Sequence, residues 1–280
     1  MKKTTIGGQA IIEGLLMIGP ICAAIAVRKS DGEIVVEKRP LPKRDIFSKI
    51  PVVRGVVGFF RQIVLGMKAL MFSAEFMDIE EEVDENTKPS KADTFIEKVF
   101  GDKLQEAVIY FAVFISLIFS TGLFIILPNV VATLMNFQKG VFYNLFEGVL
   151  RLLIFFVYLV LASKMKEIKR MWQYHGAEHK TIFCYENAEE LTVENVKKYS
   201  TKHPRCGTSF LFLVLVVSIV VFSFLPIYTM IINVLLRLAL VPLVAGLSYE
   251  IIKFVGRSEW KIVKIFNLPG LFFQRFTISY

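Results

Sequence analysis

The chain has three histidines and three cysteines, and five of these six residues fall between positions 175 and 206. They are His175, His179, Cys184, His203 and Cys206. On a helix, His175, Glu178 and His179 stand at i, i+3 and i+4 and share one face. Two imidazoles one turn apart can grip a single metal ion. The order His-x-x-Glu-His is the spacing of the inverted zinc-hydrolase motif, in which the acid serves as general base and not as ligand. A further ligand must come from elsewhere: His203, Cys206, Cys184 or an acid such as Glu250, all of which zinc accepts. Pro204 pushes His203 out of helical conformation, so His203-x-x-Cys206 lies on a turn at a chelating spacing. If His175, His179, His203 and Cys206 all bind, the tetrahedron is closed, and a closed site usually means structure rather than chemistry. Without a metal, the same histidines would sit at a membrane interface, bonded to backbone or lipid phosphate.

Other polar residues could serve this group. Glu13 is the single carboxylate in the apolar, glycine-punctuated stretch 6–21. An acid so placed must be paired or protonated, which makes it either a satisfied buried group or a partner to an imidazole. Glu250 has the same two options, or that of the extra ligand. Arg54, Lys180 and Arg205 could bind an anionic group, so a lipid head group or a phosphorylated substrate fits their charge. A peptide substrate is equally allowed.

The elements that must position these residues are mostly apolar. Of 280 residues, 54% are hydrophobic and 26 are Phe, and the mean hydropathy is +0.55. That composition excludes an ordinary soluble globule and points to a mainly α-helical, polytopic membrane protein. Four spans are expected, at about 106–127, 142–163, 208–225 and 227–248, each long enough for a hydrocarbon core of about 30 Å. Glu147 and Arg151 in the second form an i,i+4 pair that can neutralise itself. Arg237 and Pro242 interrupt the fourth, where a kink or a polar packing contact is expected.

The first 77 residues read as a cytoplasmic and interfacial region. Ala24–Val27 and Ile34–Val36 form a β-hairpin about the Asp31-Gly32 turn. The glycines of 6–21 argue against one regular helix and for close backbone packing or a tight turn. Within 46–77, Arg54, Arg61 and Lys68 recur at sevens and give one basic stripe, which describes an amphipathic helix lying in the membrane surface; the same moment suits a soluble core helix equally. The acidic and polar stretch 78–93 is an exposed linker leading to a helix that begins before the first span. In the loop 164–207, the helix leaving the second span is expected to run on through Trp172 and the histidines. Thr192 then caps a new helix. Residues 249–280 form the C-terminal segment.

Lysines and arginines crowd the 164–205 loop and the segment after 250, while the connections at 128–141 and near 226 carry almost none. By the positive-inside rule both termini and the His/Cys loop are cytoplasmic. The net charge of +8 fits anchoring at anionic lipid, and no nucleic-acid-binding pattern accompanies it. Three irregularly spaced cysteines fit a reducing compartment. There is no nucleotide-binding loop and no serine nucleophile elbow.

These residues together carry a resemblance. Gly7-Gly8-Gln9-Ala10-Ile11-Ile12-Glu13-Gly14, Gly19-Pro20, Pro51 to Gly55, Tyr174 to Lys180 and Cys184-Tyr185-Glu186 belong to it. So do His203, Arg205 to Phe210, Tyr249-Glu250 and Pro269-Gly270-Leu271. The chain resembles the YqhQ-type polytopic membrane proteins of bacteria over nearly its whole length. The resemblance implies a multi-pass protein of the bacterial plasma membrane and a metal-dependent enzyme. It also implies an acidic tail and short helix beyond the position of Thr277, whereas this sequence stops at Tyr280. Two functions are expected from the whole. One is a zinc hydrolase at the cytoplasmic face, with Glu178 as base and a lipid or peptide substrate. The other is a membrane scaffold or assembly factor with a structural metal or none, presenting its surface to a membrane-protein partner.

Overall fold

The computed structural model describes residues 4, 6–42, 46–76, 104–135, 140–203, 206–226, 228–257 and 268–278. The expected linker at 78–93 and Arg205 lie outside the described residues. Four strands come first: β1 (Gly7–Ile11), β2 (Gly14–Ile18), β3 (Cys22–Arg28) and β4 (Ile34–Pro40), paired antiparallel in chain order. The helices are α1 (Val53–Ala74), α2 (Leu104–Thr121), α3 (Leu127–Leu134), α4 (Val141–Ala162), α5 (Lys166–Glu186), α6 (Val193–Lys197), α7 (Gly207–Ser223), α8 (Met230–Arg257) and α9 (Leu268–Thr277). The molecule is mainly α with a small N-terminal sheet.

The expected hairpin is β3 and β4, with Arg28 opposite Ile34 and Cys22 opposite Pro40. Gly32 takes φ +90° in its turn, and Asp31 accepts the Glu33 N–H at 2.8 Å. A second hairpin, β1–β2, stands where only close packing or a turn was expected. Ile12 and Glu13 join its strands, Ile11 pairs with Gly14, and Glu13 turns at φ +45°. Gly14 is required by the neighbouring strand: a Cβ there would stand 2.3 Å from the Ala26 carbonyl oxygen. Alternation puts Ile11, Leu16, Ala23, Ile25 and Val27 on one fully buried face, as a period of two demands. Ala69 of α1 closes that core, with Leu65, Phe72 and Phe76 around it.

Four stretches are long and apolar enough to cross a membrane: Val53–Ala74, Tyr110–Leu134, Val141–Ala162 and Ile231–Val255. Three of them coincide with expected spans. The expected third span, α7, is apolar but has 17 residues, a rise of about 26 Å. The fourth stretch is α1, which was expected to lie in the membrane surface and has the length and apolarity of a span. Its start is pressed onto α8, where a Cβ on Gly55 would stand 2.9 Å from the Gly246 Cα. Its far half covers the sheet.

The first span does not end at Pro128. A π-helical turn at Gly122–Ile126 carries α2 into α3. Pro128 has no N–H, so the Phe124 carbonyl four residues back loses its α-helical donor. Arg151 supplies one, its Nε donating at 2.7 Å. The same guanidinium donates to Glu147 Oε1 at 2.8 Å, and Arg237 from α8 clamps both carboxylate oxygens, with Nη2 to Oε2 at 2.5 Å. Asn129 donates to Glu147 Oε2 at 3.4 Å. The ring of Phe222 lies 5.3 Å from the Arg151 guanidinium and 5.8 Å from that of Arg237. Glu147, Arg151 and Arg237 are all at most 5% exposed. The polar contact expected at Arg237 is this one, and it ties the π-helical turn, α3, α4, α7 and α8 together.

Candidate metal centre

The helix carrying the histidines starts afresh. Ser163 to Met165 break the chain between α4 and α5, and Met165 is extended with ψ 137°. The expected continuous helix is thus two, and the break lets α5 leave α4's direction to lie against β1. The side chain of Thr192 does cap α6, accepting the Asn195 N–H at 3.3 Å. Lys180 donates to the Lys197 carbonyl at 3.3 Å and so fastens α6 to α5.

His175, His179 and Cys206 converge. Each offers one ligand atom, and these atoms all lie within 4.8 Å of one another. Each imidazole is oriented by a backbone carbonyl. His175 Nδ1 faces the Thr277 carbonyl oxygen at 3.1 Å, and His179 Nδ1 faces that of Thr201. A carbonyl oxygen only accepts, so each ring carries a proton on Nδ1, and in its neutral form its free lone pair is on Nε2. His175 Nε2 points at Cys206 Sγ, 3.1 Å away. A ligating histidine usually gives its other N–H to just such a carbonyl, which fixes tautomer and aim. Cys206 is the N-cap of α7, and its sulfur accepts the Thr208 N–H at 3.4 Å. An anionic sulfur is well placed at that end of a helix. Two imidazole nitrogens and a thiolate could hold a metal ion.

The other expected site residues take different places. The His203 ring stands 5.4 Å from that of His179 and 4.7 Å from Phe183, beside the group but not in it. Among the described residues the group has three members. Cys184 is buried on α5 with its sulfur 3.5 Å from the Glu190 carbonyl. Glu250 accepts from Arg54, at 2.7 Å from Nε, and from the Val52 N–H at 3.3 Å. Arg54 and Glu250 are thus brought to each other and join α1 to α8. Glu13 meets α5 one turn before the histidines. Arg170 donates to it twice, at 2.7 and 2.9 Å, and the Tyr174 hydroxyl donates at 2.9 Å. Those hydrogen bonds from Arg170 hold the Glu13 carboxyl below the usual carboxylate range.

Glu178 is buried between its helix and β1. Its carboxyl fills the space a side chain on residue 8 would take: a Cβ on Gly8 would stand 2.8 Å from Cδ and Oε1. Burial pushes its pKa up to about 7, against the opposing pull of His175 and of the Gly8 N–H that donates to it. Sequence reasoning missed the groups that hold the imidazoles. Backbone carbonyls of Thr201 and Thr277 have no signature. Gln274 had one, as a lone amide in the apolar run of α9. It is 1% exposed, accepts the His203 N–H at 2.9 Å and donates to the His203 carbonyl at 2.7 Å and to Ser209 at 3.0 Å.

The fold and site define a class: a protein of membrane-crossing length and apolarity whose N-terminal sheet packs against a His/His/Cys centre. The chain belongs to the family described as proteins of unknown function, DUF1385, whose model matches residues 50–280. It is 32% identical over 277 residues to the Bacillus subtilis (strain 168) protein named "Uncharacterized protein YqhQ", covering 97% of this chain and 85% of that one. No solved structure matches it.

Proposed function

We propose that the chain is a membrane-embedded zinc hydrolase working at the cytoplasmic face of the bacterial plasma membrane. One observation carries this reading: two imidazoles, each with Nδ1 anchored on a backbone carbonyl, and a thiol share a space no wider than 4.8 Å. Zinc suits the donor set, since two neutral imidazoles and a thiolate are the ligands of a catalytic site with its fourth position open. Bound there, zinc supplies a Lewis acid that lowers the pKa of water to about 7. The chain's own contribution is Glu178. A buried carboxyl on the same helix face as the two imidazoles can take a proton and return it. β1 holds it there and excludes water from its far side.

The competing reading is a structural metal in a scaffold protein. What favours it is that Cys206 and Thr277 bind the start of α7 and the end of α9 to α5. Glu178→Gln separates the two. The hydrolase reading expects zinc content and folding to survive while function in cells is lost. Zinc and folding lost together would make the site structural, and a variant with no phenotype would remove the base.

The placement of the site is tested by a native thiol. Cys22 is exposed on β3, whereas Cys184 and Cys206 are buried. A membrane-impermeant maleimide should label Cys22 in inside-out vesicles and not in intact cells. Labelling of intact cells would put the sheet on the other face.

A further inference from the structure

The contacts between α4 and α7 fix the depth of the His/His/Cys centre. Asn144 near the start of α4 donates to the carbonyls of Ser223 and Leu225 at the end of α7, at 3.5 and 3.3 Å. A Cβ on Gly148 would stand 2.7 Å from Ile219, and Phe156 and Phe212 both meet the ring of Phe273. The two helices are therefore antiparallel. Six residues on from Phe156 is Ala162, and six back from Phe212 is Cys206, so these two stand at one level. With α4 read as a span, its 22 residues rise about 33 Å. That matches a hydrocarbon core of about 30 Å and puts Ala162, with Cys206, at the edge of the core. From Lys166 to His175 α5 advances about 14 Å, yet His175 Nε2 is 3.1 Å from Cys206 Sγ. α5 thus runs along that edge and not away from it.

The same edge carries cations without partners. Lys164, Lys166 and Lys169 are exposed, and their amines have no hydrogen bond or ion pair among the described residues. Glu167 is the one acid between Ser163 and Arg170. Arg275, two residues before Thr277, is a further exposed cation on the α9 side of His175, its guanidinium 5.6 Å from the Phe272 ring. By contrast, Arg54 and Lys180, first expected to take an anion, are spent on Glu250 and the Lys197 carbonyl. Apolar side chains lie among the lysines. Leu161 and Met165 are exposed, and Ile168, Met171 and Trp172 precede His175 on its own helix face, at i−7, i−4 and i−3.

We propose that the centre takes its substrate from the bilayer, as an anionic phospholipid. Its phosphate is drawn by Lys164, Lys166 and Lys169, and its glycerol end lies along Ile168, Met171 and Trp172 toward His175. This rests on the reading of the centre as the place of reaction, and it names the substrate class. Lysines gathered at the end of a span attract anionic head groups. A soluble phosphate ester would need neither the depth nor the apolar residues. A membrane-spanning peptide would need the depth but not the lysines.

Trp172 reports on the site, its ring 6.3 Å from that of His175. The chain has two tryptophans, Trp172 and Trp260, so Trp260→Phe leaves one indole. That protein, zinc-free and zinc-loaded, is reconstituted in phosphatidylcholine vesicles, and its fluorescence is quenched with brominated lipids. Bromines near the glycerol end of the acyl chains should quench more than bromines near the methyl end. Brominated phosphatidylglycerol should quench to saturation, at about a fifth or less of the brominated phosphatidylcholine that gives equal quenching. Lys164→Gln/Lys166→Gln/Lys169→Gln should abolish that preference, whereas Lys164→Arg/Lys166→Arg/Lys169→Arg should keep it. Equal quenching by the two head groups overturns the proposal and leaves a membrane-spanning peptide as the substrate the depth admits. A preference that survives the change to Gln, or that soluble glycerol phosphate abolishes, also overturns it. So does an indole that aqueous iodide quenches and the bromines do not, since the centre then lies in water. A lysine-dependent preference in protein that takes up no zinc keeps the lipid site and removes the metal. Zinc uptake without the preference does the reverse.

Discussion

Two buried polar clusters in this molecule treat their hydrogen-bonding capacity in opposite ways. At Glu147 the carboxylate oxygens receive Arg151, Arg237 and Asn129, and Arg151 also fills the carbonyl that Pro128 leaves short. At His175 the protein spends hydrogen bonds only on aiming the rings, and then stops. His175 Nε2 meets a thiol, and Trp172 Nε1 and Thr277 Oγ1 have no hydrogen-bond partner among the described residues. The first cluster is complete within the chain and joins helices. Burial alone does not distinguish them, since Glu147 and His179 are each 1% exposed.

The largest effect should come from breaking the saturated cluster. Glu147→Ala leaves two guanidiniums buried together with no anion, and should cost about 3–5 kcal/mol or more in unfolding by denaturant titration in detergent. A loss under about 1 kcal/mol would mean that water reaches the cluster. Next is the metal. Zinc at a hundred times its dissociation constant should stabilise the wild type by about 2.7 kcal/mol. The melting temperature should rise accordingly and fall again with a chelator, and in Cys206→Ala the zinc-dependent rise should shrink sharply. Gly8→Ala should follow, at about 1–3 kcal/mol, because the new methyl must displace the Glu178 carboxyl. Its more telling readout is function lost with zinc content kept.

The smallest effect lies at Glu13. Arg170 is 48% exposed and Glu13 24%, so solvent screens the pair to about 0.2–1 kcal/mol. Its folded pKa is lowered from 4.5, so this contribution is present above the ordinary pKa and lost as pH falls through the folded value. The melting temperature of Glu13→Gln should therefore approach that of the wild type as the pH drops toward about 3.

Much of this was legible in the sequence. The Asp31-Gly32 turn gave its hairpin, and the apolar runs gave α4, α7 and α8 to within a few residues at most ends. His175, Glu178 and His179 share α5 as their spacing requires, and Cys206 joins them. What stayed hidden depends on contacts far apart in the chain. Gly8 and Gly14 read only as signs of close packing or a tight turn, without the partners that need the room, which are Glu178 and the Ala26 carbonyl. Glu13 finds Arg170, 157 positions away. Arg237 joins a pair that already looked neutral by itself. The carbonyls of Thr201 and Thr277 that aim the imidazoles are backbone, which any residue would supply.

His175, His179 and Cys206 together could hold a metal ion. The most direct test is the zinc content of freshly purified protein in detergent, beside the double variant His175→Ala/His179→Ala. The account predicts near-stoichiometric zinc in the wild type and none in a folded double variant. A folded wild type that neither contains nor takes up zinc would contradict it.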